Sequence, residues 1–123
     1  MAEPEFEITK AAHFDAAHSL PAGDPARGHR RLHGHSFRVE ASVRGVRQGA
    51  AGWVVDLNAF GAALEGAARE LDHGLLNDHT GLESPTLENL CLWFTARLRP
   101  EFPGLSQVAV SRPTIGESCR LRL

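Results

Sequence analysis

The run from His33 to Arg44 constrains this chain more than any other segment. Its residues alternate: His33, His35, Phe37, Val39, Ala41 and Val43 fall on one side, and Ser36, Arg38, Glu40, Ser42 and Arg44 on the other. Period-two alternation is the pattern of a strand with one buried face. Two imidazoles spaced i, i+2 leave the same face of such a strand, near enough to share one ion. A third imidazole from another element, with His18 upstream as the candidate, completes the three-nitrogen set that catalytic zinc uses, its fourth position open to water or substrate. With His29 also close by, four of the seven histidines fall between positions 18 and 35. This is the pattern of a metal site built for chemistry; the alternative is a set of histidines that merely fill a strand face and a loop.

At 123 residues the chain is expected to form one domain over 1–123. A formal charge of −2 argues against a nucleic-acid footprint, although Arg27, Arg30 and Arg31 make a local basic cluster. That cluster either contacts an anionic group near the site, with Arg31 as the substrate-binding member, or stays solvated. No apolar run reaches membrane-spanning length, and the acidic start Met-Ala-Glu-Pro-Glu is unlike a secretion signal, so the expected compartment is the cytoplasm. Cys91 and Cys119 stand apart in sequence without metal-ligand spacing. Cys91 falls on an apolar helix stripe, and Trp53 and Trp93 are expected to pack.

A first strand is expected over Phe6 to Phe14, followed closely by His18 and a loop dense in turn formers, Pro21, Gly23, Asp24, Pro25 and Gly28. The strand from His33 ends near Gly45, Gly49 and Gly52 bracket a turn, and Trp53-Val54-Val55 returns as a hairpin partner. Asp56 is the expected N-cap of a helix carrying Leu57, Phe60, Leu64, Ala68 and Leu71 on one stripe. Asp72-His73 falls at its end, where a histidine interacts well with the helix dipole. A second helix starts around Ser84-Pro85-Thr86, runs through Leu87, Leu90, Cys91, Phe94 and Leu98, and stops at Pro100. Short strands follow at Val108–Val110 and Ser118–Leu123. The order implies an α+β sheet with helices packed on one face.

Phe14-Asp-Ala-Ala-His18, Leu32-His-Gly-His-Ser-Phe37, Gly52-Trp-Val-Val-Asp56, Leu71-Asp-His73, Leu76-Asn-Asp78 and Ser84-Pro-Thr-Leu-Glu88 stand in the order and spacing of a known family. The chain resembles the 6-pyruvoyltetrahydropterin synthase and 6-carboxytetrahydropterin synthase family over nearly its whole length. The resemblance implies the tunnelling fold, a four-stranded antiparallel sheet with two helices on one face. It further implies that three subunits close a twelve-stranded barrel and that two barrels stack, making the chain a homo-oligomer, trimer or hexamer. Barrel closure also removes the exposed edges of a small open sheet. By the same resemblance His18, His33 and His35 are zinc ligands, and Asp72-His73 is the pair that assists proton transfer on dihydroneopterin triphosphate, making the chain a zinc-dependent lyase of a small-molecule substrate.

Two positions depart from the family. Where its members carry a proton-abstracting cysteine, this chain has His29. That residue is a general base, a fourth zinc ligand or an exposed loop residue; imidazole chemistry suits the first role at neutral pH. Where the family has a glutamate that anchors the pterin ring after a Val-x-Val strand, this chain has Arg112, while Glu117 supplies a carboxylate only if the alignment shifts. A guanidinium has donors alone and suits a carboxylate or phosphate. The alternatives to pterin lyase chemistry are therefore a relative recruited to a non-pterin anionic substrate, for a condensation, cyclisation or aldol-type reaction, and a catalytically silent zinc-binding module.

Overall fold

The structure, a computed structural model, describes residues 3–123. Four strands form one sheet in the order β1 (Glu5–His18), β2 (His33–Val46), β3 (Leu105–Arg112) and β4 (Glu117–Arg122), every neighbouring pair antiparallel. Two helices, α1 (Leu57–Leu71) and α2 (Leu87–Leu98), connect β2 to β3. They pack on the same face of the sheet, α1 against β1 and α2 against β3 and β4. The expected four-stranded α+β architecture is what the chain adopts.

Three expectations are corrected. Trp53-Val54-Val55 does not form a strand: only Trp53 bridges, to Gln48, and its side chain stays half exposed instead of packing. Gly49 and Gly52, both in the left-handed region, turn the chain too tightly for a ladder to extend beyond that bridge. The first strand does not end at Phe14 but runs on to His18, so the imidazole belongs to the ladder and not to the loop after it. The second helix also begins later than its signal, with Thr86 as N-cap accepting from the Asn89 N–H at 3.1 Å and Pro85 just outside.

Packing explains the layer. Phe14 and Phe37 stack at 4.9 Å between ring centroids, and Phe94 of α2 sits on Phe14 at 5.8 Å. Phe60, Leu64 and Leu71 of α1 and Leu90, Phe94 and Leu98 of α2 are buried against Val39, Val108 and Val110. Each such side chain contributes roughly 1.5–3 kcal/mol of apolar burial. Asp56 caps α1 as expected, accepting from the Asn58 N–H at 2.9 Å. Cys91 is buried in this core, and its thiol donates to the Cys119 carbonyl at 3.6 Å, so the two cysteines are neighbours. Burial pushes the Cys91 thiol up to about 12, which makes it inert packing.

The opposite face is polar. Thr9, Ser42, Gln107 and Arg120 form a hydrogen-bonded row across all four strands, with contacts of 2.7, 3.1 and 2.9 Å. Ser42 is fully buried within this row and both neighbours satisfy its hydroxyl. Among the described residues no helix is long and apolar enough to cross a membrane.

Leu90 and Leu92 lie two residues apart on α2, the first fully buried and the second 56% exposed. Urea denaturation is expected to show Leu90→Ala losing about 2–5 kcal/mol and Leu92→Ala staying within about 0.5 kcal/mol. Equal losses would contradict the face that α2 presents to the sheet.

Candidate metal centre and the cleft beside it

The β1–β2 ladder builds the centre. His18 and His33 are direct cross-strand partners, and His35 faces Ala16, whose small side chain leaves the ring room. The three ring centroids lie 4.6–4.9 Å apart, and one nitrogen from each ring falls within 4.8 Å of the others.

Carbonyl partners fix two of the rings. A carbonyl only accepts, so His18 donates from Nδ1 to the Pro85 carbonyl at 3.3 Å, and His33 donates from Nδ1 to the Arg31 carbonyl at 2.7 Å. In the neutral rings both Nε2 atoms are then bare lone pairs. They nevertheless lie 3.1 Å apart. Two lone pairs at that distance repel unless a cation lies between them. A proton is poorly held: burial, and after it the neighbouring His33 and His35, push His18 down to about 4. A metal ion suits the arrangement, since two nitrogens at ~2.0–2.1 Å from a tetrahedral zinc are about 3.3 Å apart. Backbone carbonyls on the distal nitrogens are also what orients ligating imidazoles in metal sites. His35 is lowered as well, by burial first and then by the charge of Arg112.

The loop after His18 is held from far away. Asn77 accepts from the Ser19 N–H at 3.0 Å and donates to the Ser19 carbonyl at 2.9 Å, which fixes the chain as it leaves the site. Neither Asn77 nor the Pro85 carbonyl carries a local signal, since their partners are 58 and 67 residues away.

Asp72 and His73 lie beside the centre. His73 donates from Nδ1 to Asp72 Oδ2 at 2.8 Å, and Asp72 Oδ1 accepts from the Asp15 N–H at 2.8 Å. These bonds hold the Asp72 carboxyl below its ordinary range and the His73 imidazole above its own. His73 has φ 58, a left-handed conformation at the helix end. Its backbone N–H donates to the Asp15 carbonyl at 2.6 Å. His73 and His35 line the same open cleft of about 660 Å³, together with Asp15, Ser36, Thr114 and Ile115.

Arg112 and Glu117 are cross-strand partners on β3 and β4. They meet each other: Arg112 Nε lies 2.8 Å from Glu117 Oε1. Both charges are felt by His35. His29 stands outside the imidazole cluster, its side chain exposed and its carbonyl accepting from the Leu20 N–H at 2.8 Å. A β-carbon at Gly23 would collide with that of His29, so the glycine lets the loop close on itself. The Arg31 side chain is exposed as well, and its carbonyl is the part that meets His33.

The sequence and the fold have counterparts among known proteins. The chain matches the family model described as 6-pyruvoyl tetrahydropterin synthase over residues 7–122. It is 41% identical over 109 residues to a 6-carboxy-5,6,7,8-tetrahydropterin synthase of Synechocystis, covering 84% of this chain and 83% of that one. It is 37% identical over 97 residues to a dihydroneopterin monophosphate aldolase of Pyrococcus furiosus, covering 79% and 78%. The fold superposes on the 6-pyruvoyl tetrahydropterin synthase of Caenorhabditis elegans with a TM-score of 0.84 at 19% identity, over 100% of this chain and 99% of that one. The match extends across nearly the whole sequence, and the chain belongs to the 6-pyruvoyl tetrahydropterin synthase family.

Proposed function

We propose that this protein is a zinc-dependent lyase acting on a dihydroneopterin phosphate, the triphosphate or a related small molecule. The observation that carries the reading is the pair of bare Nε2 lone pairs of His18 and His33 at 3.1 Å, with His35 beside them. Family membership supports the lyase class, and relatives of this chain include a synthase and an aldolase. An all-imidazole set favours zinc among divalent ions. His18, His33 and His35 would hold it, and when bound it supplies Lewis acidity that polarises substrate oxygens.

Proton movement falls to the chain's own residues. With Nδ1 of His73 engaged by Asp72, Nε2 is the nitrogen left to take a proton from substrate or return it. Asp72 positions the ring and stabilises its charged form. We assign His29, on the loop between β1 and β2, as a second proton carrier, Arg31 and Arg112 as substrate contacts, and Glu117 as the carboxylate of the substrate-binding region that pairs with Arg112. A second reading, a relative that handles a non-pterin anionic substrate, is favoured by one observation, the place of Arg112 on β3, one residue past the Ser111–Arg38 pairing with the strand that carries His33 and His35. We also assign a closed homo-oligomer, trimer or hexamer, because β1 and β4 end the sheet with unpaired edges within the chain.

Incubation with dihydroneopterin triphosphate and monophosphate, followed by product analysis, tests the lyase directly; a metal-loaded protein inert to both would favour the second reading. Metal analysis is expected to find about one zinc per chain, with His33→Ala or His35→Ala losing most of it; unchanged occupancy in both variants would remove the metal assignment. His29→Ala is expected to keep its zinc and lose turnover, whereas zinc loss as severe as in His33→Ala would make His29 a ligand. Light scattering should give a trimer or hexamer, and a monomer at working concentration would rule out edge closure.

The Asp72–His73 pair makes a pH prediction. A carboxylate favours the charged imidazole, so the His73 titration observed by NMR should lie above the ordinary histidine value and fall back in Asp72→Asn. Any stability from the pair is present below the ordinary value and lost as pH rises through the raised one. An unmoved midpoint in Asp72→Asn would show that the pair does not act as a unit.

A further inference from the structure

On the helix-covered face of the sheet Ala12, Phe14, Phe37 and Val39 are buried and apolar, and beyond the two rings the face changes character. Beyond those rings it carries His18, His33 and His35 from β1 and β2, with Arg112 two residues past buried Val110 on β3 and Glu117 two residues before Cys119 on β4. Arg112 and Glu117 differ sharply in exposure. The Arg112 side chain is 13% exposed, whereas that of Glu117 is 49% exposed. Their contact is also imperfect: Nε and Oε1 are 2.8 Å apart, but the N–H is not aligned on the carboxylate, and among the described residues Nε has no hydrogen-bond partner. The guanidinium is thus anchored, charged and incompletely satisfied, next to imidazoles that would carry a divalent cation. The counter-charge opposite it is the more exposed member of the pair.

We propose that Arg112 and Glu117 form a self-locked anion subsite, in which Glu117 holds the guanidinium in the resting protein and a carboxylate or phosphate group of the substrate displaces it. This deepens the reading of the site as a metal-dependent centre for a small anionic molecule, and rests on it. A flat guanidinium offers paired N–H donors to either oxyanion, and a bidentate pair satisfies what the single misaligned contact with Glu117 leaves open. Glu117 can yield because its outer half is already in water, and the turn Pro113–Gly116 between the partners places Thr114 and Ile115 on the cleft that His35 lines. Such a lock discriminates: a substrate without an anionic group cannot repay breaking the pair, whereas one with it gains a fixed anchor next to the metal. The two residues then act in opposite senses on affinity, which neither a plain arginine anchor nor a plain glutamate anchor would give.

Calorimetry on zinc-loaded protein with inorganic phosphate and, separately, acetate tests this. Arg112→Gln is expected to weaken binding about tenfold or more, a loss of about 1.4 kcal/mol, and Glu117→Gln to tighten it severalfold, with zinc content unchanged in both. Glu117→Gln is half exposed and serves as the arm that does not threaten folding; Arg112→Lys, which keeps the charge but not the fork, should recover only part of the loss. The probe with the larger dependence on Arg112 identifies the anionic group. Binding that is insensitive to both substitutions, or that falls in Glu117→Gln as it does in Arg112→Gln, overturns the subsite. Turnover of dihydroneopterin phosphates by the unmodified protein is scored separately: lost opposite-sign behaviour with turnover intact removes the subsite alone, and intact behaviour without turnover removes the lyase alone.

Discussion

Everything in this molecule hangs on the register of one antiparallel pair. β1 and β2 run fourteen residues side by side, from Glu5 opposite Val46 to His18 opposite His33, without a slip. Side chains on a strand alternate, so a shift of one residue in either strand would send its buried rings to the far face and turn residues such as Asp15, Arg38 and Glu40 toward the core. The same register that stacks Phe14 on Phe37 brings His18 onto His33 four residues later. The core and the metal centre are therefore one structure read at two positions along a ladder, and the apolar end holds the imidazole end in place.

That arrangement lets a small domain hold a demanding site. Repulsion between the bare nitrogens of His18 and His33 is opposed by the packing of Phe14, Phe37 and Phe94 behind them and by two carbonyls that grip the far sides of the rings. The packing and the carbonyls fix the rings where one ion would meet a nitrogen of each, which limits the reorganisation that binding requires. Arg112 adds positive charge at the same end of the face, and Glu117 offsets it. The region is balanced only when an anion or Glu117 faces the guanidinium.

The strand with its i, i+2 imidazoles, the Asp56-capped helix and the apolar stripe of α2 were legible because each is a local pattern, repeated at a period that one strand or helix imposes. The length of β1 was not. Ala16 and Ala17 carry too little hydrophobic contrast to show alternation, so the pattern fades after Phe14 although the ladder continues to His18. Trp53-Val54-Val55 misled for the opposite reason: its strand propensity is strong, but the two left-handed glycines before it leave room for a single bridge. In the site, the residue types were legible and their partnerships were not. Arg112 and Glu117 competed for one role on paper because nothing local shows that a turn at Gly116 sets them face to face. The carbonyls that set the tautomers of His18 and His33 belong to residues whose side chains are irrelevant to the task.

His73 carries a further consequence. A residue with a β-carbon in the left-handed region sits roughly 1–2 kcal/mol above the right-handed alternative, and the end of α1 is where glycine is the common solution. The chain places an imidazole there instead, with the bond to Asp72 to hold it. Thermodynamic fitness and chemical utility thus pull in opposite directions at this one position. A lineage drifting under selection for folding alone would be drawn toward glycine and would lose the only imidazole sharing the His35 cleft from outside the metal set, among the described residues. The persistence of a strained histidine at position 73 would be a mark of selection for chemistry, detectable in relatives even where the substrate is unknown.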